Sequence, residues 1–390
     1  MVRAAVSDIL VASGADPNKT RDSARLLGLN RGLAWRVSRV VRSEDIGAAL
    51  SDVPTSASMD KLIRACQDRG ASSELVQVAR DAIDRFEGAV KRCSGDRKTL
   101  AMLMANRDER SSGIELERAR RKLFEGACSV WGVQAAVRFV SVFLYPAPDD
   151  PSMLNVGHST GYIGFRRLRE IPWPLSYETV QDKEGAPRRF IKEPLDPNGS
   201  ESEGMRQLIG RFCSPDDLRI NVVQLGQVKR FELESGPVGN QGLTTCVFGS
   251  HLQHLFSRYA SPEDDYATFY VQLETPVERV IFDMYVHEDL QVEGIPEVHL
   301  CDRLTHRHIA RESDIEQESL PIGEEPFALG RGAAGAVTPH IPFYSRLVEF
   351  IGERIGHAPE EFRGSRFELK YPPISTALAR RMALETAPDS

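Results

Sequence analysis

Between Thr20 and Val41 the sequence TRDSARLLGLNRGLAWRVSRVV admits few arrangements other than two short helices meeting at a glycine. Ala24 precedes Gly28 by four residues, and a side chain larger than alanine at 24 would hold the helices apart. Glycine at 28 takes the positive φ that reverses the chain at little cost. With Asn30 as cap, the second helix runs from Arg31 to about Arg42. At about 100° per residue, Leu33, Val37, Val40 and Val41 gather on an inner face. Arg31, Trp35, Arg39 and Arg42 lie opposite, with Ser38 at the edge and Gly32 leaving a low spot.

Charge sharpens this local reading. The 390 residues carry 49 basic and 56 acidic side chains, a net −7, which argues against a protein that coats nucleic acid along its whole surface. Residues 1–43 hold eight basic groups against three acidic ones, a local +5 that leaves −12 for the remainder. A small module for an anionic ligand joined to a body of different purpose fits that asymmetry.

The stretch resembles the helix-turn-helix shared by many bacterial DNA-binding regulators, with no particular family singled out, and the resemblance covers only this segment. It implies that the second helix enters the major groove of double-stranded DNA, that dimers engage two half-sites about one turn apart, and that Arg31, Ser38 and Arg39 touch bases or phosphates. Each well-formed arginine–guanine contact is worth about 1–3 kcal/mol of discrimination. A solvated arginine-rich face, or packing of Trp35 on a neighbouring domain, remains the competing reading.

The length predicts two or three domains. From residue 3 to about 125 apolar residues recur three and four apart. In Ser72–Cys93, capped by Ser72 or Ser73, the stripe is Leu75, Val78, Ala79, Ala82, Ile83, Phe86 and Val90. It is covered either by its own domain or by a second copy of the chain. After VQAAVRFVSVFLYPAP the pattern becomes strand-like: YIGFRRL, LRINVVQL, VKRFELES, LTTCVFG, YATFYVQLE, VERVIFDMYV and RFELKY. PFYSRLVEFIGERIG reads as one helix laid on the sheet through Phe343, Leu347, Val348, Phe350, Ile351 and Ile355. Asp182–Glu203 and Glu312–Gly335 read as polar excursions.

The expectation is therefore an α+β chain with three parts. Residues 1–50 form an all-helical domain with the helix-turn-helix, 51–125 a helical connector that can dimerise, and 126–390 a mixed, largely antiparallel sheet domain that senses a ligand or binds a protein. Six dispersed cysteines, an N-terminal stretch lacking a signal-peptide core, and no long apolar run predict a cytoplasmic protein without a membrane span.

Catalytic signatures are weak. GRGAAG (Gly330–Gly335) matches the dinucleotide pattern, yet Pro339 and Pro342 would stop the helix that pattern requires. In HLCDRLTHRH, His299 with Cys301 and His306 with His308 could hold zinc, but their spacing fits no common closed site. His251 and His254, His287 with Glu288 and Asp289, and His158 with Ser159 lack the motifs that accompany catalysis. The aromatics between Trp131 and Trp173, with Tyr145, His158 and Tyr162 among them, can line a small-ligand pocket.

No catalytic residue, metal ligand or cofactor is predicted. The favoured function is a DNA-binding transcriptional regulator using Arg31, Trp35, Ser38, Arg39 and Arg42. Two alternatives are an interaction module whose helix pair packs on its own chain and an enzyme sited in the C-terminal domain. The latter would need two or three of His158, His251, His287, His299 and His306 to meet a carboxylate.

Overall fold

The computed structural model describes residues 1–43, 49–50, 52–105, 109–179, 190–197, 207–215, 218–226, 228–262, 265–302, 315 and 319–387. It divides into two compact units, Met1–Glu115 and Leu116–Ser390.

In the first unit the regular elements among the described residues are helices: α1 (Val2–Ala12), α2 (Thr20–Leu26), α3 (Arg31–Arg42), α4 (Ser56–Gln67), α5 (Ser73–Cys93) and α6 (Arg97–Ala105). A further helix, α7 (Glu109–Trp131), begins in the first unit and ends in the second. The sequence explains the α2–α3 junction. Gly28 takes φ +61°, Leu29 N–H donates to Ala24 O at 2.9 Å, and extended Asn30 accepts Leu33 N–H on its side-chain oxygen at 2.8 Å. Ile9, Leu33, Val37, Leu62, Val76 and Ile83 belong to one buried cluster. Residues assigned from sequence to separate reading and connecting segments therefore share a core.

The stripe on α5 needs one correction. Ser72 is the cap, accepting from Leu75 N–H at 3.3 Å, but Val76 is buried while Val78 is 53% exposed. Buried and half-buried positions follow 76, 79, 83, 86 and 90, a steady alternation of three and four that Val78 does not join.

The second unit holds β1 (Val133–Pro146), β2 (Met153–Arg167), β3 (Trp173–Thr179), β4 (Ile191–Pro194), β5 (Ile220–Leu225), β6 (Val228–Leu233), β7 (Thr244–Ser257), β8 (Tyr266–Leu273), β9 (Val277–His287), β10 (Glu297–Asp302), β11 (Ser319–Leu320), β12 (Phe327–Arg331), β13 (Phe362–Lys370) and β14 (Thr376–Ala383). They form a seven-stranded sheet in the order β12-β13-β9-β1-β2-β7-β4, a four-stranded sheet β11-β10-β14-β8 and a three-stranded sheet β3-β6-β5. Among the described strand pairs, β1 with β9 is parallel and the others are antiparallel. The expected α+β class with a largely antiparallel sheet is thus present. Of the polar excursions, 190–197 contains β4, and the second contains β11 and β12; 182–189, 198–203, 312–314 and 316–318 lie outside the described residues.

β1 is buried on both faces, as its largely apolar sequence, interrupted by Gln134, Arg138 and Ser141, requires. Val137, Phe139, Phe143 and Tyr145 join a core with the helix α8 (Tyr344–Ile355), while Val140, Val142 and Leu144 face a second core with Phe282 and Leu378. The expected inward positions of α8 are buried, apart from the partly buried Phe343 that precedes it.

On the α8 face of β9 sits Asp283, fully buried. Its oxygens accept from Arg366 Nε at 2.9 Å and Nη2 at 2.8 Å across the β9–β13 register. Removing one member of a buried pair strands the other charge. Asp283→Ala should lower unfolding stability by about 3–5 kcal/mol, read by urea denaturation, whereas Asp283→Leu with Arg366→Met should lose clearly less. Equal losses would show that the pair is not the source.

Candidate functional site

Among the described residues, three places carry chemistry. The first is the outer face of α3. Arg31, Trp35, Arg36, Arg39 and Arg42 are all exposed, Trp35 to 50%. The opposite side, Leu33, Ala34, Val37 and Val40, is buried. The Arg39 guanidinium lies 4.9 Å from the Trp35 ring centre, and its Nε pairs with Asp52 at 2.8 Å. This partner belongs to the same unit and not to the acidic C-terminal part.

Ser38 is removed from the face. It is 4% exposed, and its hydroxyl donates to Pro17 O at 2.7 Å. The segment joining α1 to α2 covers the edge where helical periodicity placed it. Arg36, by contrast, widens the exposed ridge beyond the four large side chains assigned from sequence.

The second place is a cavity of about 500 Å³ in the second unit, walled by strands of all three sheets. Phe231, Phe248 and Phe269 supply apolar wall, Arg138 and Lys192 supply cations, Glu274 a carboxylate and His158 an imidazole. Arg138 is buried, donates to Gly161 O at 3.2 Å and stacks over Tyr162 at 4.5 Å. Of the aromatics expected around a pocket, Tyr162 lines this one. Phe139, Phe143 and Phe165 are core, and Trp173 donates its indole N–H to Thr275 at 2.9 Å. Ser159 is no partner for His158, because its hydroxyl donates away to Phe248 O at 2.9 Å.

The third place lies where β9 ends and β13 begins. His287 Nε2 and His357 Nδ1 donate to the same Glu361 oxygen, at 3.0 and 2.8 Å. Glu361 takes a third bond from Ala358 N–H at 3.0 Å. These bonds, the His357 one foremost, hold the Glu361 carboxyl down to about 2. Tyr145 lies beside His357 with ring centres 4.7 Å apart, and its hydroxyl bonds His251 Nε2 at 2.6 Å.

Local sequence builds this corner. Gly356, left-handed at φ +81°, ends α8, and Pro359 follows to start a 3-10 turn; Glu361 lies four residues after His357. His357 and Glu361 escaped the sequence reading. The H-x-x-x-E spacing just past a helix-stopping glycine was the available signal, but nothing local links it to His287.

The remaining candidates do not assemble. His254 pairs with Asp149 at 3.0 Å. His299 bonds Ser319 and Glu297, while Cys301 is buried, and His306 and His308 lie outside the described residues. No helix starts inside Gly330–Gly335, where β12 passes into a 3-10 turn, Ala333–Ala336. Among the described residues no helix is long and apolar enough to cross a membrane.

No protein-family model matches the sequence, and no curated protein matches it. Several solved structures bear a distant likeness, two of them each over 65% of this chain. A provisionally named nutrient-binding protein of Legionella pneumophila shows 7% identity and a TM-score of 0.31 over 67% of its own length. A provisionally named protease of Parabacteroides distasonis shows 6% identity and a TM-score of 0.28 over 40% of its length. Neither likeness is close enough to bear on fold or chemistry.

Burial, aided by Lys192 and Arg138, pushes His158 down from 6.5 to about 3. The unfolded chain therefore binds a proton at His158 between those values that the folded chain refuses, so acidification through that window destabilises the fold. The urea midpoint should fall between about pH 7 and about pH 5, and fall less in His158→Gln. An identical fall in both proteins would remove His158 as a cause.

Proposed function

We propose that this chain is a DNA-binding regulator in which α2 and α3 form a helix-turn-helix reading head and the second unit binds a small effector. The observation that carries the reading is the α3 ridge: four arginines and a tryptophan in water, backed by a helix face fixed in the core. Guanidinium groups pair with phosphate or bond two acceptors of guanine, and a capped helix presents them rigidly. Arg31, Trp35, Arg39 and Arg42 are the proposed contacts from sequence, with Arg36 added and Ser38 withdrawn.

The Arg39–Asp52 pair does not oppose this. Arg39 meets the 14% exposed Asp52 through Nε, and its side chain is itself 44% exposed, so its guanidinium has further N–H donors for charge-assisted bonds to phosphate while that pair is kept. Two copies would read two half-sites about one turn of DNA apart. The cavity, where Arg138 and Lys192 outnumber Glu274 among aromatic walls, suits an organic anion with an apolar body as effector.

The rival reading, an interaction module whose helix pair packs on its own chain, predicts no binding to a duplex. Binding to a random-sequence DNA duplex, followed by fluorescence anisotropy over a salt series, should weaken linearly on log–log axes. Arg31→Ala and Arg39→Ala should each weaken it several-fold and reduce the salt slope by about one, as loss of a phosphate contact does. Ser38→Ala should leave affinity unchanged while costing about 1 kcal/mol of stability from its lost bond to Pro17. No salt slope, or arginine variants binding like the parent, defeats the proposal.

A further inference from the structure

The corner occupied by His287, His357 and Glu361 has the donor set of a transition-metal site. One ligand atom from each lies within 4.8 Å of the others. Both imidazole–carboxylate separations, 3.0 and 2.8 Å, fall in a narrow range. Two donors each about 2.0–2.1 Å from one ion, and about 2.9 Å apart, subtend close to a right angle at it. Tetrahedral coordination would need them about 3.4 Å apart. Each imidazole–carboxylate pair is therefore spaced for adjacent positions on a five- or six-coordinate ion, and the donor set is the two-histidine, one-carboxylate one.

The supporting structure is rigid behind and open in front. His287 ends a central strand, is buried, and lies edge-on against Phe362 with ring centres 5.2 Å apart. The β9–β13 register sets Phe362 opposite His287, and Glu288 N–H donates to Glu361 O at 2.8 Å, which fixes the carboxylate's backbone. His357 N–H donates to Gly352 O at 3.0 Å, which anchors the third residue to the end of α8. The side chains of His357 and Glu361 are only half-buried, 26% and 38% exposed, so solvent reaches the front of the group. His287 Nδ1, on the side of the ring away from Glu361, accepts Asp289 N–H at 3.2 Å and lies 3.5 Å from Asp289 Oδ2. When the other nitrogen turns to a metal, the ring N–H moves to Nδ1 and donates to that carboxylate, in exchange for the bond from Asp289 N–H.

We propose that His287 Nε2, His357 Nδ1 and one oxygen of Glu361 hold a divalent first-row transition-metal ion, leaving the solvent-facing positions for water or an oxygen ligand. Each imidazole stays neutral on binding, its single N–H moving to the ring nitrogen remote from the ion. The half-exposed His357 ring turns to bring the two nitrogens onto adjacent positions. Glu361 exchanges two accepted N–H bonds for one metal bond and keeps the bond from Ala358. The site is independent of the proposed DNA contacts, which lie in the other unit.

The test uses the full chain without a histidine tag, stripped with a chelator and titrated with zinc chloride by calorimetry and with cobalt chloride by visible absorption. One equivalent of zinc should bind, and cobalt should give the weak bands of a five- or six-coordinate ion in place of the intense tetrahedral ones. His357→Gln and Glu361→Gln, both at half-exposed positions, should each lower zinc affinity at least tenfold while circular dichroism stays that of the parent. Zinc should also raise the thermal midpoint of the parent and not of the double variant. Absence of saturable binding in the parent, or binding undiminished in the double variant, overturns the proposal.

Discussion

The Asp283–Arg366 pair is the interaction on which the second unit turns. Two ions buried at the centre of a sheet cost several kcal/mol each in lost hydration, a cost that only excellent geometry offsets. Here the geometry is bidentate, and Arg366 also donates to Ala336 O at 2.8 Å. The pair locks β9 to β13 in one register, because a slip by one residue would turn Arg366 to the other face. That register sets Phe362 opposite His287 and so brings Glu361 within reach of His287. Chemistry at the end of the sheet depends on a charge pair buried farther along it.

Legibility followed the range of the interactions involved. The α3 limits, Arg31 to Arg42 with Asn30 as cap, were readable because capping and a glycine turn are decided within a few residues. The same holds for α8, whose stop at Gly356 is a local signal. Ser38 was misplaced because helical periodicity ignores what covers a helix edge, here Pro17 and its neighbours. Val78 was misplaced because Leu75 and Val76 are adjacent apolar residues, so two stripes one step apart fit the pattern equally well. Strands such as β9 and β13 could be found from composition, yet their pairing could not. Hence His357 and Glu361, some seventy residues from His287, stayed invisible as its partners.

The two units divide the molecule's chemistry. The first offers an exposed cationic ridge on a fixed helix, a surface suited to a polyanion. The second offers a cavity with a neutral histidine and a buried arginine in its lining, and separately an imidazole–carboxylate corner. The ridge and the cavity lie on separate compact units.

The most direct test of the central claim follows Trp35 itself. Trp173 is buried, so replacing the exposed Trp131 with phenylalanine leaves Trp35 as the tryptophan that acrylamide reaches readily. Saturating duplex DNA at low salt should shield its emission from acrylamide, and added salt should restore the quenching. Quenching that is unchanged at saturating duplex would contradict the account, because the α3 ridge would then face water while the DNA was bound elsewhere.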